Sequence, residues 1–180
     1  MLSCGFNPEN IVLSGDSAGG ALAIGVLFLL RDMKLAMPAA AVLISPWVDA
    51  TCSGESWTSS QHLDYLPSLH LEDPFHPTRM FYDAGKQFSS AMRKELQCPL
   101  VSPVFGTDFS GMPPMLIQMG SDELLRDDIQ LFADKVKQHS SNDVKLTLEI
   151  YDNMPHAFVL FDFAEAAQQA FASIGKFISI

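Results

Sequence analysis

Apolar positions along this chain fall into short runs separated by longer, periodic stretches. Residues 11–14, 39–45 and 115–120 are apolar with little alternation, the pattern of strands covered on both faces. Residues 145–151 alternate polar and apolar and read as a more exposed strand. Between these runs the spacing predicts helices over 18–33, 123–139 and 161–178. Strands alternating with helices imply βαβ units with right-handed crossovers, and hence an α/β fold on a parallel sheet.

The stretch 47–103 breaks that rhythm. It carries Trp47, Trp57, Tyr65, Phe75, Phe81, Tyr82 and Phe88 among Pro, Ser and His, with no clear strand. Insertions this long between two strands usually serve as lids or binding regions. Linkers are rarely so aromatic, so 47–103 is expected to be a cap or substrate-binding insertion.

Composition narrows the classes. With 180 residues, 48% hydrophobic and 18% charged, the chain has apolar material for one buried core. Its formal charge of -10 repels phosphate backbones and anionic lipid, which argues against nucleic acid and electrostatic membrane docking. Cys4, Cys52 and Cys98 are odd in number and form no Cys-x-x-Cys pair, so they read as buried or free thiols rather than a disulfide framework or zinc site. The longest apolar run, 21–30, ends at Arg31-Asp32, short of the ~20 residues a membrane helix needs. The first five residues lack the basic start and apolar core of a signal peptide, so a cytoplasmic location is expected.

Gly15-Asp16-Ser17-Ala18-Gly19-Gly20 stands where the first strand gives way to the first helix. Gly-x-Ser-x-Gly in that context is a nucleophile elbow, a sharp turn that lifts the serine hydroxyl clear of the sheet. Flanking glycines are expected because side chains there would collide with the neighbouring strand and helix. The following helix aims its free amides at the same place, so the amide of Ala18 could stabilise an oxyanion. A phosphate loop would need a Lys after the glycines, and none is present. A chymotrypsin-like arrangement needs an upstream histidine, and none precedes Ser17.

A serine needs a histidine base and an acid to fix its tautomer, and in α/β order both follow the serine. His156 fits best, in the loop after the strand at 145–151. His139 reads as a helix-end residue, while His62, His70 and His76 lie in the insertion, a poor place for a base that must sit still. Asp122 directly follows the strand at 115–120 and is the expected acid, the bland alternative being a mere N-cap for the next helix. Asp49, beyond the end of the strand at 39–45, is its rival.

Four motifs, "GDSAGG" at 15–20, "SPWVD" at 45–49, "GSDELLRDD" at 120–128 and "MPHAF" at 154–158, together resemble the hormone-sensitive-lipase-like branch of the α/β-hydrolase esterases. They occur in the family's order, with Glu123 standing where the family usually has proline. The resemblance implies hydrolysis of small-molecule carboxylic esters without cofactor or metal. It matches Ser17, Asp122 and His156 to nucleophile, acid and base. The family's His-Gly-Gly-Gly-type oxyanion motif has no counterpart here, and the chain begins just before the family's fifth strand. Residues 1–180 are therefore expected to form a partial domain, the C-terminal half of an α/β-hydrolase fold. The strand at 11–13 is expected to be left with an unpaired edge, and the chain alone to self-associate and turn over weakly. The alternative is an inactive hydrolase-like interaction module, and an acyltransferase or peptidase on the same triad stays open.

Overall fold

The computed structural model describes residues 5–67, 73, 75–82, 89–139 and 144–179, with backbone alone for 80–82. Cys4, His70 and Phe88 lie outside the described residues. Strands β1 (Val12–Asp16), β2 (Ala40–Ile44), β3 (Met115–Gly120) and β4 (Leu146–Tyr151) form one sheet in the order β1-β2-β3-β4, every pair parallel. The register sets Val12 beside Ala40, Ala41 beside Met115, and Met115 beside Leu146. The parallel α/β expectation holds, and each strand lies within two residues of its expected place.

Helix α1 (Ser17–Asp32) carries the chain from β1 to β2. The segment between β2 and β3 holds the short helices α2 (Ser56–Ser59), α3 (Pro77–Tyr82) and α4 (Ser90–Leu96), with no strand among its described residues. Helix α5 (Arg126–His139) connects β3 to β4, and α6 (Glu165–Ile178) closes the chain. Alternate strand residues point to opposite faces of a sheet. Ala41 and Leu43 of β2, with Met115, Ile117 and Met119 of β3, pack with Ile24, Leu27 and Phe28 of α1 and Ile129, Phe132 and Val136 of α5. Phe109 sits between these helices, 5.9 Å from the Phe28 ring and edge-on to Phe132 at 5.7 Å. Each such fully buried side chain stabilises the fold by roughly 1.5–3 kcal/mol. On the other face Ile44 and Tyr151 pack with Phe158 and Ala170, and the Gln118 amide donates to the Ala170 carbonyl of α6 at 3.0 Å.

Two expectations change. The run at 11–14 looked doubly covered, yet β1 alternates between exposed and half-buried residues, whereas all of β3 is buried. Burial follows position in the sheet: β1 has one strand neighbour and β3 has two. The helices expected at 123 and 161 begin at Arg126 and Glu165: bonds to Tyr151, Met154 and Asp64 hold 121–125 as a turn, while 158–164 is a short 3-10 turn and loop closed by its own local backbone bonds. The insertion also begins inside the main core, with Trp47, Val48 and Trp57 buried there.

Candidate active site

β1 passes into α1 without a connecting loop. Ser17 turns the corner with φ 51°, a left-handed backbone conformation unfavourable for a residue with a side chain. A Cβ on Gly15 would strike the Gly19 carbonyl, and one on Gly20 would lie 2.6 Å from the Pro46 Cβ. A Cβ on Gly19 would meet nothing within 4 Å among the described residues. The close approaches therefore fall at Gly15 and Gly20, not at both glycines flanking the serine. The Ser17 carbonyl accepts from the Trp47 amide at 2.8 Å, which ties the turn to the end of β2. Ala18 lies in the first turn of α1, where amides have no intrahelical acceptor.

Ser17 and His156, 139 residues apart, meet at the C-terminal ends of the strands. His156 Nε2 lies 2.9 Å from Ser17 Oγ. Its loop is set by two further left-handed residues, Asn153 (φ 57°) and Ala157 (φ 48°). The Ala157 amide donates to the Ser45 hydroxyl at 3.0 Å, and Ser45 is itself left-handed at φ 43°. On its other nitrogen the ring meets Glu123: Nδ1 lies 3.2 Å from Oε2, and both side chains are almost wholly buried. A carboxylate only accepts, so this pairing selects the tautomer protonated on Nδ1 and leaves Nε2 to accept from Ser17. Burial pushes the Glu123 carboxyl above its ordinary range, and hydrogen bonds from His156 and Ser45 oppose that shift.

The expected acid, Asp122, is not brought to the histidine. Its carboxyl accepts from Ser121 Oγ at 2.9 Å, while its amide donates to the Met154 carbonyl at 3.1 Å. With that backbone bond made, the turn leaves the Asp122 side chain half-buried and sends the following residue inward to His156. The carboxylate that faces His156 Nδ1 is the next residue, Glu123. The signal was the following Leu-Arg-Asp, whose distance from the acid is ambiguous by one position in sequence alone. Asp49 is buried but faces its own loop, accepting from Thr51 and Ser53 backbone amides and hydroxyls at 2.6–3.2 Å. Of the other histidines, His62 is exposed, His76 is buried near Trp57, and His139 pairs with the Lys135 carbonyl.

A cavity of about 430 Å3 opens beside Ser17, walled by Ala18, Trp47, Trp57, Leu66 and Leu125. The Trp57 indole donates to Asp128 at 2.9 Å, and the Trp47 indole to the Asp49 carbonyl at 2.9 Å. Asp128, buried near Asp49, is pushed up to about 7, chiefly by desolvation. Cys52 is half-buried against the core, and desolvation raises its thiol pKa, which suits an inert residue. Among the described residues no group of three or more His, Cys, Asp and Glu side chains could hold a metal, and no helix is long and apolar enough to cross a membrane.

A sheet with a strained serine at its first strand–helix turn and a histidine–carboxylate pair from later loops has the organisation of a serine hydrolase. Residues 3–160 match the family described as alpha/beta hydrolase fold, and the chain belongs to that family. It is 35% identical over 179 residues to an esterase of Acinetobacter venetianus, covering 98% of this chain and 54% of the relative. It is 42% identical over 128 residues to an acetyl-hydrolase of Streptomyces hygroscopicus, covering 71% of this chain and 39% of that protein. The crystal structure of an esterase from the bacterial hormone-sensitive lipase family superposes with a TM-score of 0.81 at 36% identity, covering 98% of this chain and 55% of that one. The chain thus spans about half the length of the relatives it matches.

Proposed function

We propose that this chain carries the catalytic triad of a carboxylic-ester hydrolase, with Ser17 as nucleophile, His156 as base and Glu123, in place of Asp122, as the acid. The observation that carries this reading is the 2.9 Å approach of Ser17 Oγ to His156 Nε2, made by a serine held at φ 51°. In the reaction Ser17 Oγ attacks the ester carbonyl as His156 Nε2 takes its proton. Glu123 holds the ring and stabilises the imidazolium from the Nδ1 side. The tetrahedral oxyanion sits at the N-terminus of α1, where the Ala18 amide is the donor this chain supplies. His156 passes the proton to the departing alcohol, then takes one from the water that attacks the acyl-enzyme. The insertion 47–103 acts as the cap, its Trp47, Trp57 and Leu66 forming the apolar wall against which a small ester lies.

The relatives named as esterase and acetyl-hydrolase support an ester substrate. A fluorophosphonate probe tests the reading directly. Labelling should map to Ser17 and vanish in Ser17→Ala; labelling that survives the substitution would move the nucleophile elsewhere. One observation favours a second role for the isolated chain: β1 is an edge strand carrying the exposed Val12, and such an edge recruits another strand. Concentration-dependent association, relieved by Val12→Lys, would support it, and a monomer at all concentrations would remove it.

A further inference from the structure

The insertion touches the acid and the base through one carboxylate. Asp64 follows α2 on a turn closed by hydrogen bonds from the Leu63 and Asp64 amides to the Ser60 carbonyl, at 2.9 and 3.1 Å. Its side chain is half-buried, and its two oxygens face different loops. Oδ2 accepts the Leu124 amide at 2.8 Å; Oδ1 accepts the His156 amide at 3.3 Å and its own loop's Leu66 amide at 3.4 Å. The Leu124 amide belongs to the peptide that leaves Glu123, and the His156 amide to the peptide that enters His156. One rigid carboxylate therefore spans the backbones on which the acid and the base are mounted. From the rest of the proposed reading, we infer that Asp64 is a positioning residue for the reaction, a clamp from the insertion that sets the distance between Glu123 and His156.

Three features of the surroundings support a role in alignment rather than in folding. The same two loops are joined again on the sheet side, by Ser121 N to the Tyr151 carbonyl, Asp122 N to the Met154 carbonyl and Asn153 N to Ser121 Oγ, at 2.8–3.1 Å. Those bonds hold the loops together without Asp64, but none reaches the peptides that carry Glu123 and His156 inward. The insertion also grips the acid loop a second time: Ser56 Oγ donates to the Leu124 carbonyl at 2.6 Å, so both polar groups of Leu124 are held by α2 and its turn. Leu66, two residues beyond Asp64, walls the cavity beside Ser17. The clamp thus joins the substrate wall to the proton-transfer pair. An amide hydrogen bond to an ionised acceptor is about twice as strong as a neutral one, which suits the task.

The test separates chemistry from binding. Phosphonylation of Ser17 by a fluorophosphonate is followed against probe concentration in the wild-type chain, Asp64→Ala and Asp64→Asn, with Ser17→Ala as blank and circular dichroism to establish that each is folded. Asp64→Ala should lower the limiting rate about 10- to 100-fold, the effect of a displacement near 1 Å in a reacting pair, with the half-saturating concentration unchanged within about twofold. Asp64→Asn offers one acceptor and turns its NH2 toward the other amide, so its rate should fall between the two. A folded Asp64→Ala with the wild-type limiting rate overturns the clamp. If Asp64→Ala does not fold, Asp64→Asn decides alone, and a limiting rate within about threefold of wild type overturns it. A wild-type chain with no Ser17-dependent labelling overturns the triad reading and this inference with it, whereas normal labelling indifferent to Asp64 overturns this inference only.

Discussion

Two turns at the same edge of the sheet build the site by different means. The serine turn is local: six consecutive residues, two tight glycine approaches and one strained φ place Ser17. The acid loop is assembled from afar. Residues 120–127 are held by Ser56 and Asp64 from the insertion, by Tyr151 at the end of β4 and by Met154 beyond it. The serine turn stores backbone strain and small residues, while the acid side stores desolvated carboxyls in Glu123 and Asp128. A contiguous device is readable from spacing, and a dispersed one is not, because nothing in residues 120–128 records which distant groups will turn the chain.

The difference is broken most severely at the serine itself. Ser17→Ala should remove all triad-dependent ester hydrolysis, a loss on the order of 10⁶ in turnover. Next comes the acid, where the two neighbouring carboxyls should part company. Glu123→Gln should lower turnover by about 10⁴, because an amide favours the wrong histidine tautomer, while Asp122→Asn should stay within about threefold. Hydrolysis of p-nitrophenyl butyrate by the two variants checks this, and the reverse order would return the acid to Asp122.

What was legible follows the same division. Four strands, the long helices and the Ser17–His156 pairing could be read because apolar period and a contiguous motif encode them. The helix expected at 123 starts at Arg126 because Leu124 bonds to Ser56 and Asp64 instead of entering the helix. Asp122 turns away from His156 for the same reason: its amide is tied to the Met154 carbonyl, 32 positions away. Asp64 had no signal of its own, since an aspartate in a polar stretch of an insertion looks like any solvated loop residue. The exposure of β1 depends on what lies beside it, which an apolar run cannot specify.

The glycines sharpen the contrast in stability. A Cβ at Gly120 would strike the Met154 carbonyl, where the acid and base loops cross, and backbone cannot step aside cheaply. Gly120→Ala should destabilise by about 3 kcal/mol or more. Gly19→Ala, in the first turn of α1 where the methyl meets nothing among the described residues, should stabilise by roughly 0.5–1 kcal/mol through its lower unfolded-state entropy. Urea midpoints of the two variants measure both signs, and a neutral Gly120→Ala would show that the loops can separate without loss.

The last effect concerns protons, and it should appear on the acid side only. Asp128 holds its proton up to about 7 in the folded chain, against an ordinary value of 3.8. Below pH 4 both folded and unfolded forms are protonated there and the group contributes no penalty. As pH rises from about 4 to 7 the unfolded chain releases the proton while the fold retains it, so stability falls; above 7 the penalty is constant. A shift of that size corresponds to about 4 kcal/mol, and the effective dielectric of a protein interior, well above that of a dry medium, reduces this to on the order of 2 kcal/mol. Asp128→Asn keeps an acceptor for the Trp57 indole but nothing to ionise. Relative to wild type it should therefore gain stability between pH 4 and pH 8, whereas Gly19→Ala, which adds and removes no titratable group, should shift both pH values equally. Urea unfolding of the three proteins at pH 4 and pH 8 makes the comparison. An Asp128→Asn curve parallel to wild type would mean that this carboxyl is already ionised in the fold at low pH, and that Trp57 is held by a charge rather than by a neutral acid.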